Sequence, residues 1–207
     1  MTDVGILILG GGEATRLPGK LALAAGELPL IARVYRNVTR TNALEVVVSG
    51  RSTFAREVDA LLPVPLVVDR WDRRGPLGGM LTTMARMRAR FVFAVAGDAP
   101  FVDAAFIANL AARYELGDEA LVPVRCREGA AQYEPLAALY DRLAFIREGL
   151  PVLRAGRGAL RAVIDRLRTR TVMLDDARAF ANVNTPEDYA ALRVELARET
   201  EHRGDSR

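Results

Sequence analysis

Two cations and one carboxylate are the residues of this chain best suited to chemistry. Arg16 and Lys20 close the stretch Gly10-Gly11-Gly12-Glu13-Ala14-Thr15-Arg16-Leu17-Pro18-Gly19-Lys20, and Asp98 stands in Ala96-Gly97-Asp98-Ala99-Pro100-Phe101. Three consecutive glycines let a chain turn tightly and bring bare backbone N–H groups against a large anion. With positive side chains after them they read as a phosphate-binding loop, and the anion expected there is a nucleoside triphosphate. Asp98 follows six apolar residues, 91–96, which read as a central strand of a parallel sheet. Open α/β sheets bind ligands just beyond the carboxyl ends of such strands. A carboxylate there suits Mg²⁺, which is commonly held by one or two carboxylates plus substrate phosphates. The competing role for such an aspartate is a helix N-cap. Asp103 can fill it for a helix over 104–114, which leaves Asp98 without that duty.

Lys20 is the only lysine among 29 Lys and Arg residues. A chain that writes its other basic positions as arginine has placed a lysine at the end of the glycine loop. A compact ammonium on a flexible stem enters a crowded phosphate site where a planar guanidinium does not fit. Two common glycine motifs are excluded. The dinucleotide fingerprint G-x-G-x-x-G fails at Thr15, and a Walker A loop fails at Ala14 and Leu21.

The elements that must position these residues follow from hydrophobic periodicity. Residues 6–9 read as a buried strand, 30–38 as a helix opened by Pro29, 44–48 as a strand, 52–62 as a helix capped by Ser52, and 66–68 as a strand. A strand, helix, strand, helix, strand order predicts a parallel sheet with helices on both faces. A long loop, 69–80, carries Asp69, Trp71 and Gly75-Pro76-Leu77-Gly78-Gly79, and a helix to Arg88 is expected after it. Glycines at a helix entrance permit close approach of a base or ribose, and the helix N-terminus favours phosphate. Later, 120–124 reads as a strand and 129–140 returns to the sheet or enters a helix. Arg147-Glu148-Gly149 reads as a hinge, 159–167 as a helix and 171–174 as a strand. Thr185-Pro186 opens a last helix to about 200, with Asp188 at the capping-box position. Asn182 and Asn184, just before it, can aim amide oxygens at a ligand or close an Asx turn. Met80, Met84 and Met87 are expected in the core.

Composition narrows the class. The chain has 207 residues, half of them apolar, which suits one α/β domain over 1–200. An acceptor-substrate lobe is expected near 120–160 and a flexible tail over 201–207. One cysteine, Cys126, excludes an internal disulfide and a cysteine metal cluster. The single histidine, His202, lies in a polar tail, so histidine catalysis is not expected. The net charge is +3 with arginines scattered among acids and only 6% aromatics, so no nucleic-acid partner is expected. The first residues, Met1-Thr2-Asp3, lack a basic region, and no apolar run approaches a membrane span. No membrane partner is expected, and the expected location is the cytoplasm.

Taken together, LGGGEATRLPGK at 9–20, Asp69 with GPLGGM at 75–80, AGDAPF at 96–101, EPLAALY at 134–140 and NVNTPED at 182–188 resemble the molybdenum cofactor guanylyltransferases, a MobA-like nucleotidyltransferase family. The resemblance covers about residues 4–195. It implies a three-layer, mostly parallel Rossmann-like nucleotidyltransferase fold. It implies that GMP passes from GTP to the phosphate of the molybdenum–molybdopterin cofactor, with Mg²⁺, releasing pyrophosphate. Leu9, Gly10 and Gly11 would hold the nucleotide through their backbone, and Arg16 and Lys20 would face its triphosphate. Asp69 would lie against the nucleotide, with Gly78 and Gly79 lining its pocket. Asp98 and Asn184 would hold Mg²⁺, and Asn182 would face the metal or the pterin substrate. Transient contact with proteins that deliver the cofactor or mature molybdoenzymes is compatible with such a role. Cytidylyl transfer to the same cofactor is the alternative, as is nucleotidyl transfer to a sugar or another phosphorylated metabolite. A non-enzymatic nucleotide-binding regulator fits less well, because Lys20 and Asp98 both stand at reactive positions.

Overall fold

The computed structural model describes residues 3–10, 16–64, 66–71, 74–127, 130–156, 158–174 and 176–204. In chain order, β1 (Val4–Leu9) is followed by a small hairpin, β2 (Ala24–Ala25) and β3 (Leu28–Pro29). Next come α1 (Leu30–Val38), β4 (Val46–Gly50), α2 (Ala55–Leu61), β5 (Leu66–Val68), α3 (Gly75–Met84), β6 (Phe91–Ala96) and α4 (Ala104–Ala111). The second half supplies β7 (Ala120–Arg127), β8 (Ala130–Tyr133), β9 (Ala137–Asp141), α5 (Arg142–Arg154), α6 (Leu160–Ile164), β10 (Thr169–Met173) and α7 (Pro186–Gly204). The main sheet runs β10-β7-β9-β6-β1-β4-β5, with β8 beside β7. β1 pairs in parallel with β4 and β6, β4 with β5, and β10 with β7. β9 lies antiparallel between β6 and β7. The architecture is a Rossmann-like α/β fold with a mixed, mostly parallel sheet.

Strand alternation builds the three layers. Ile6 and Ile8 of β1, with Phe93 and Val95 of β6, join a core completed by α1, α4 and α7. Leu7, Val92 and Ala94 belong to the opposite core, which α3, α5 and α6 complete. Met80, Met84 and Met87 are buried there, as expected. The chain leaves β1 for β4 and β5 on one side and returns to β6 on the other. The order therefore reverses between β1 and β6, which opens a crevice at their carboxyl ends. Among the described residues no helix is long and apolar enough to cross a membrane.

Several elements differ from the sequence expectation. α3 begins at Gly75 and ends at Met84, so Gly78 and Gly79 lie inside a buried helix, with Pro76 in its first turn. Ser52 opens a 3₁₀ turn, Ser52–Phe54, and α2 starts after it without a side-chain cap. α4 stops at Ala111, α6 spans only Leu160–Ile164, and α7 continues to Gly204, past the expected start of the tail. Residues 205–207 lie outside the described residues.

Arg147, Glu148 and Gly149 are not a hinge but the middle of α5, whose first turn Asp141 caps through Ala144 N–H at 2.9 Å. A Cβ on Gly149 would sit 2.9 Å from Leu81 Cδ2 of α3, so this glycine allows the two helices to touch. Arg147 instead clamps the fold. Its guanidinium donates to Glu119 Oε1 at 3.0 Å, and Arg168 N–H donates to Glu119 Oε2 at 3.0 Å. These bonds hold the Glu119 carboxyl below its ordinary range, the Arg168 N–H contributing most. A depressed carboxyl contributes stability above its unfolded value, near 4.3, and loses it as the pH falls through the lower folded value. Glu119→Gln is expected to cost about 2 kcal/mol at neutral pH. The gap to wild type should close in acid unfolding curves below about pH 4.

Candidate active site

The crevice between β1 and β6 is built by backbone contact. Gly97 N–H donates to Leu9 O at 2.9 Å, and Gly10 N–H donates to Ser49 O at 2.7 Å. A Cβ on Gly97 would stand 3.0 Å from Leu9 O and 3.4 Å from Gly10 Cα. Only a glycine lets these two strand ends lie so close. Gly11, the second nucleotide-binding glycine of the sequence reading, lies outside the described residues, as do Gly12 to Thr15.

Lys20 reaches this crevice from a turn with two anchors. Gly19 has φ 66°, a left-handed conformation that glycine adopts without strain. Leu21, the next residue after Lys20, is buried against the sheet. Between them the Lys20 side chain is 14% exposed and the Asp98 side chain 15%. Lys20 Nζ forms a short ion pair with Asp98 Oδ2. The same ammonium donates to Val183 O and to Asn184 Oδ1, each at 2.9 Å. One carboxylate, one amide oxygen and one peptide carbonyl thus surround a single positive charge. Val183 N–H also donates to Asp98 O at 3.0 Å, which fastens the two loops to each other.

Each loop has its own support. Asn37 Nδ2 on α1 donates to Pro100 O at 2.9 Å, bracing the turn after Asp98. Asp103 caps α4, accepting from Phe106 N–H at 2.9 Å, so Asp98 is indeed free of that duty. The turn before α7 has the expected capping box. Asp188 Oδ2 accepts from Asn184 N–H and Thr185 N–H, both at 2.9 Å, and Asp188 N–H donates to Thr185 Oγ1 at 3.2 Å. These bonds, led by the one from Asn184, hold the Asp188 carboxyl below its usual range. Arg16 is exposed, and its charge adds to the same effect. Lys20 therefore joins the segment after the first strand to the turn before the last helix.

The second part of the crevice lies over β4, β5 and α3. Asp69 Oδ1 accepts from Trp71 N–H at 2.8 Å and from Thr82 Oγ1 at 3.1 Å, and Asp69 N–H donates to Gly50 O at 2.9 Å. A Cβ on Gly79 would lie 2.9 Å from Ser49 Oγ, 3.6 Å from Asp69 Oδ2 and 3.7 Å from Leu9 Cδ2. Gly79 therefore packs against the ends of β1, β4 and β5, and a side chain there would press on Ser49. Gly78 is different: the Cβ and carbonyl of Trp71 close its side at 2.9 and 3.0 Å. It seats the loop carrying Asp69 against α3. Asn182 is exposed and borders a cavity of about 420 Å³ with Pro100, Phe101, Arg178 and Glu195.

No role could be read from the sequence for Val183, Ser49 or Thr82. Val183 acts through its carbonyl, which residue type does not encode. Ser49 and Thr82 sit at spacings that carry no motif. Among the described residues no group of three His, Cys, Asp or Glu side chains converges as a metal cluster. The oxygen set around Lys20 is nonetheless that of a hard cation, one carboxylate with two neutral carbonyl oxygens, and substrate phosphates would supply the remaining ligands.

The profile of the MobA-like NTP transferase domain matches residues 6–172. The molybdenum cofactor guanylyltransferase of Polynucleobacter asymbioticus is 30% identical over 198 residues, covering 92% of this chain and 96% of that protein. The 3-deoxy-manno-octulosonate cytidylyltransferase of Methylococcus capsulatus is 34% identical over 113 residues, 53% of this chain and 44% of that one. In fold, the crystal structure of molybdopterin-guanine dinucleotide biosynthesis protein A from Archaeoglobus fulgidus superposes with a TM-score of 0.79. It has 20% identity, over 94% of this chain and 99% of that one.

Proposed function

The chain belongs to the MobA-like NTP transferase family and is a nucleotidyltransferase, and we propose that it moves GMP from GTP to the terminal phosphate of the molybdenum–molybdopterin cofactor. What supports this reading most is the extent of the likeness. Relatives named for that reaction match over nearly the whole of both chains, whereas the cytidylyltransferase match spans about half. The cytidylyltransferase match still favours one second reading, transfer of CMP to a sugar acid.

The chemistry asks for charge control rather than a proton shuttle. The acceptor phosphate is already ionised at neutral pH. Its oxygen forms a bond to the α-phosphorus of GTP while the bond to the bridging oxygen breaks, and that electron pair leaves with pyrophosphate. In-line placement and neutralisation of the developing charge lower the barrier. Mg²⁺ held by Asp98, Asn184 and the Val183 carbonyl would supply such neutralisation for substrate oxygens. Arg16 and Lys20 would cover the leaving pyrophosphate. The backbone of Leu9, Gly10 and Gly11 would hold the nucleotide, Asp69 and Gly79 would border its base and ribose, and Gly78 would keep that wall in place. Asn182 would meet the acceptor, and residues 120–160 would form the side from which it arrives.

Pyrophosphate release tests the reading, with GTP, CTP, ATP and UTP offered in turn, each with and without molybdenum–molybdopterin. Release that requires both GTP and the cofactor is the expected result. Release with CTP and a keto-sugar acid would replace it with the second reading.

The pocket assignment predicts that stability and binding separate at Gly79. Gly79→Ala removes helix-interior glycine, a gain of about 0.5–1 kcal/mol, against a shift of the Ser49 hydroxyl. The melting temperature should hold, while overpacking weakens nucleotide binding about tenfold, measured by calorimetric titration. Unchanged affinity would move the base away from Asp69.

A further inference from the structure

Lys20 occupies the very oxygens assigned above to the cation. An ammonium has three N–H donors and no more. Here they are spent on Asp98 Oδ2, Val183 O and Asn184 Oδ1. None is left for a phosphate, so Lys20 does not serve a triphosphate from this position. A magnesium ion sits about 2.1 Å from its oxygen ligands. Placed on the same three oxygens it would fall within about 3 Å of Nζ, where two positive charges repel strongly in a mostly buried site.

We propose that Lys20 is a built-in stand-in for the divalent cation, so that metal and lysine occupy the Asp98–Asn184–Val183 oxygens in turn. The inference rests on the metal assignment of the proposed function and adds an order to it. Mg²⁺ alone meets a site already neutralised by an internal cation. A triphosphate offers the ammonium new oxygens, draws it out of the cage and brings the metal to the vacated ligands. The chain has parts suited to such an exchange. Gly19, directly before Lys20, is a glycine with nothing packed over its Cβ position. The backbone that carries these oxygens is fixed independently of Lys20, by the Val183 N–H bond to Asp98 O and by the Asp188 capping box. The two loops therefore stay together when the lysine leaves. The arrangement also keeps the Asp98 charge compensated between turnovers and ties metal loading to nucleotide loading.

Manganese binding to nucleotide-free protein, read from the paramagnetic resonance of free Mn²⁺, is the test. Wild type should bind Mn²⁺ weakly. Lys20→Met, which keeps the stem and removes the charge, should bind on the order of tenfold tighter or more, since the competing state is gone. Adding Asp98→Asn to that variant should abolish the gain. A second arm uses the unaltered protein. Lys20 is the sole lysine, so ¹⁵N-lysine labelling gives one side-chain ammonium resonance. It should stay in place when Mg²⁺ is added alone and move when GTP follows. Equal Mn²⁺ affinity in wild type and Lys20→Met, lost in both with Asp98→Asn, would refute the exchange and leave the metal site standing. A ¹⁵N resonance displaced by Mg²⁺ alone would also refute it. Mn²⁺ binding indifferent to Asp98→Asn, even with GTP present, would remove the metal assignment and the exchange together.

Discussion

Asp98→Asn is expected to lower nucleotidyl transfer about a thousandfold while leaving a folded protein. The aspartate contributes the one carboxylate among the three oxygens around Lys20. Asparagine keeps its shape and one carbonyl oxygen but carries no charge. A cation that must be held by one carboxylate and two neutral oxygens loses most of its electrostatic attraction to the protein. Removal of a preorganised charge that acts on the transition state costs about two to three orders of magnitude. The fold should survive because the loop is held by backbone, through Gly97 N–H to Leu9 O and Val183 N–H to Asp98 O. Some stability is lost all the same. The Lys20 ammonium faces a neutral amide oxygen in place of a carboxylate, and a charged hydrogen bond is worth about 1.5–3 kcal/mol. Pyrophosphate release as a function of Mg²⁺ concentration, beside a thermal melt, checks both statements. Normal turnover with an unchanged Mg²⁺ dependence would sink the metal assignment.

Much of this site could be read before the fold was known, because strong local signals marked it. β1 and β6 are apolar throughout, so their strand ends, Leu9 and Ala96, were fixed within a residue. The chemistry sits at such ends in α/β sheets. Asp98 stood out because Asp103 had an ordinary explanation, and the N-cap bond to Phe106 N–H bears that explanation out. The turn before α7 was legible for a similar reason: Thr185, Pro186 and Asp188 each have one favoured place at a helix start, and they occupy it.

The missed features share a different cause. Glycine and proline were read as breakers where tertiary packing overrides propensity. Gly75-Pro76-Leu77-Gly78-Gly79 looks like loop, yet it is helical because Leu77 and Met80 bury against the sheet and the glycines accept Trp71 and Ser49 at close range. Arg147-Glu148-Gly149 likewise looked like a hinge, though Gly149 is the point where α5 meets α3. The Val183 carbonyl was invisible for another reason. Which way a peptide oxygen points depends on the pairing of Val183 with Asp98, a contact between distant parts of the chain. The same holds for Ser49 and Thr82, which meet Gly79 and Asp69 only after β4, β5 and α3 have packed. Sequence thus marks residues whose type is demanded locally and leaves out those recruited by the fold.

Lys20→Arg separates charge from shape at the centre of the site. The substitution keeps a full positive charge, so a role as a general anion attractor predicts little change. The geometry predicts a loss of about a hundredfold in kcat/KM. Lys20 places one compact atom where three oxygens converge, in a side chain only 14% exposed. A guanidinium spreads five donors over a planar fork and cannot bring them to one point. It also carries its charge farther from the Cα, so it would push against Asn184 and the Val183 carbonyl rather than settle among them. Misplacing a charge by about 1 Å, among these oxygens or on the triphosphate that draws it out, costs roughly two orders of magnitude. The loss should fall mainly on kcat, because an arginine pointing outward still attracts a triphosphate and preserves much of the binding. Lys20→Met should differ in kind, losing nucleotide affinity along with kcat. Steady-state kinetics on the two variants side by side is the measurement. An arginine variant with wild-type kcat would mean that any positive charge suffices there, and that the sole lysine among 29 basic residues marks no special site.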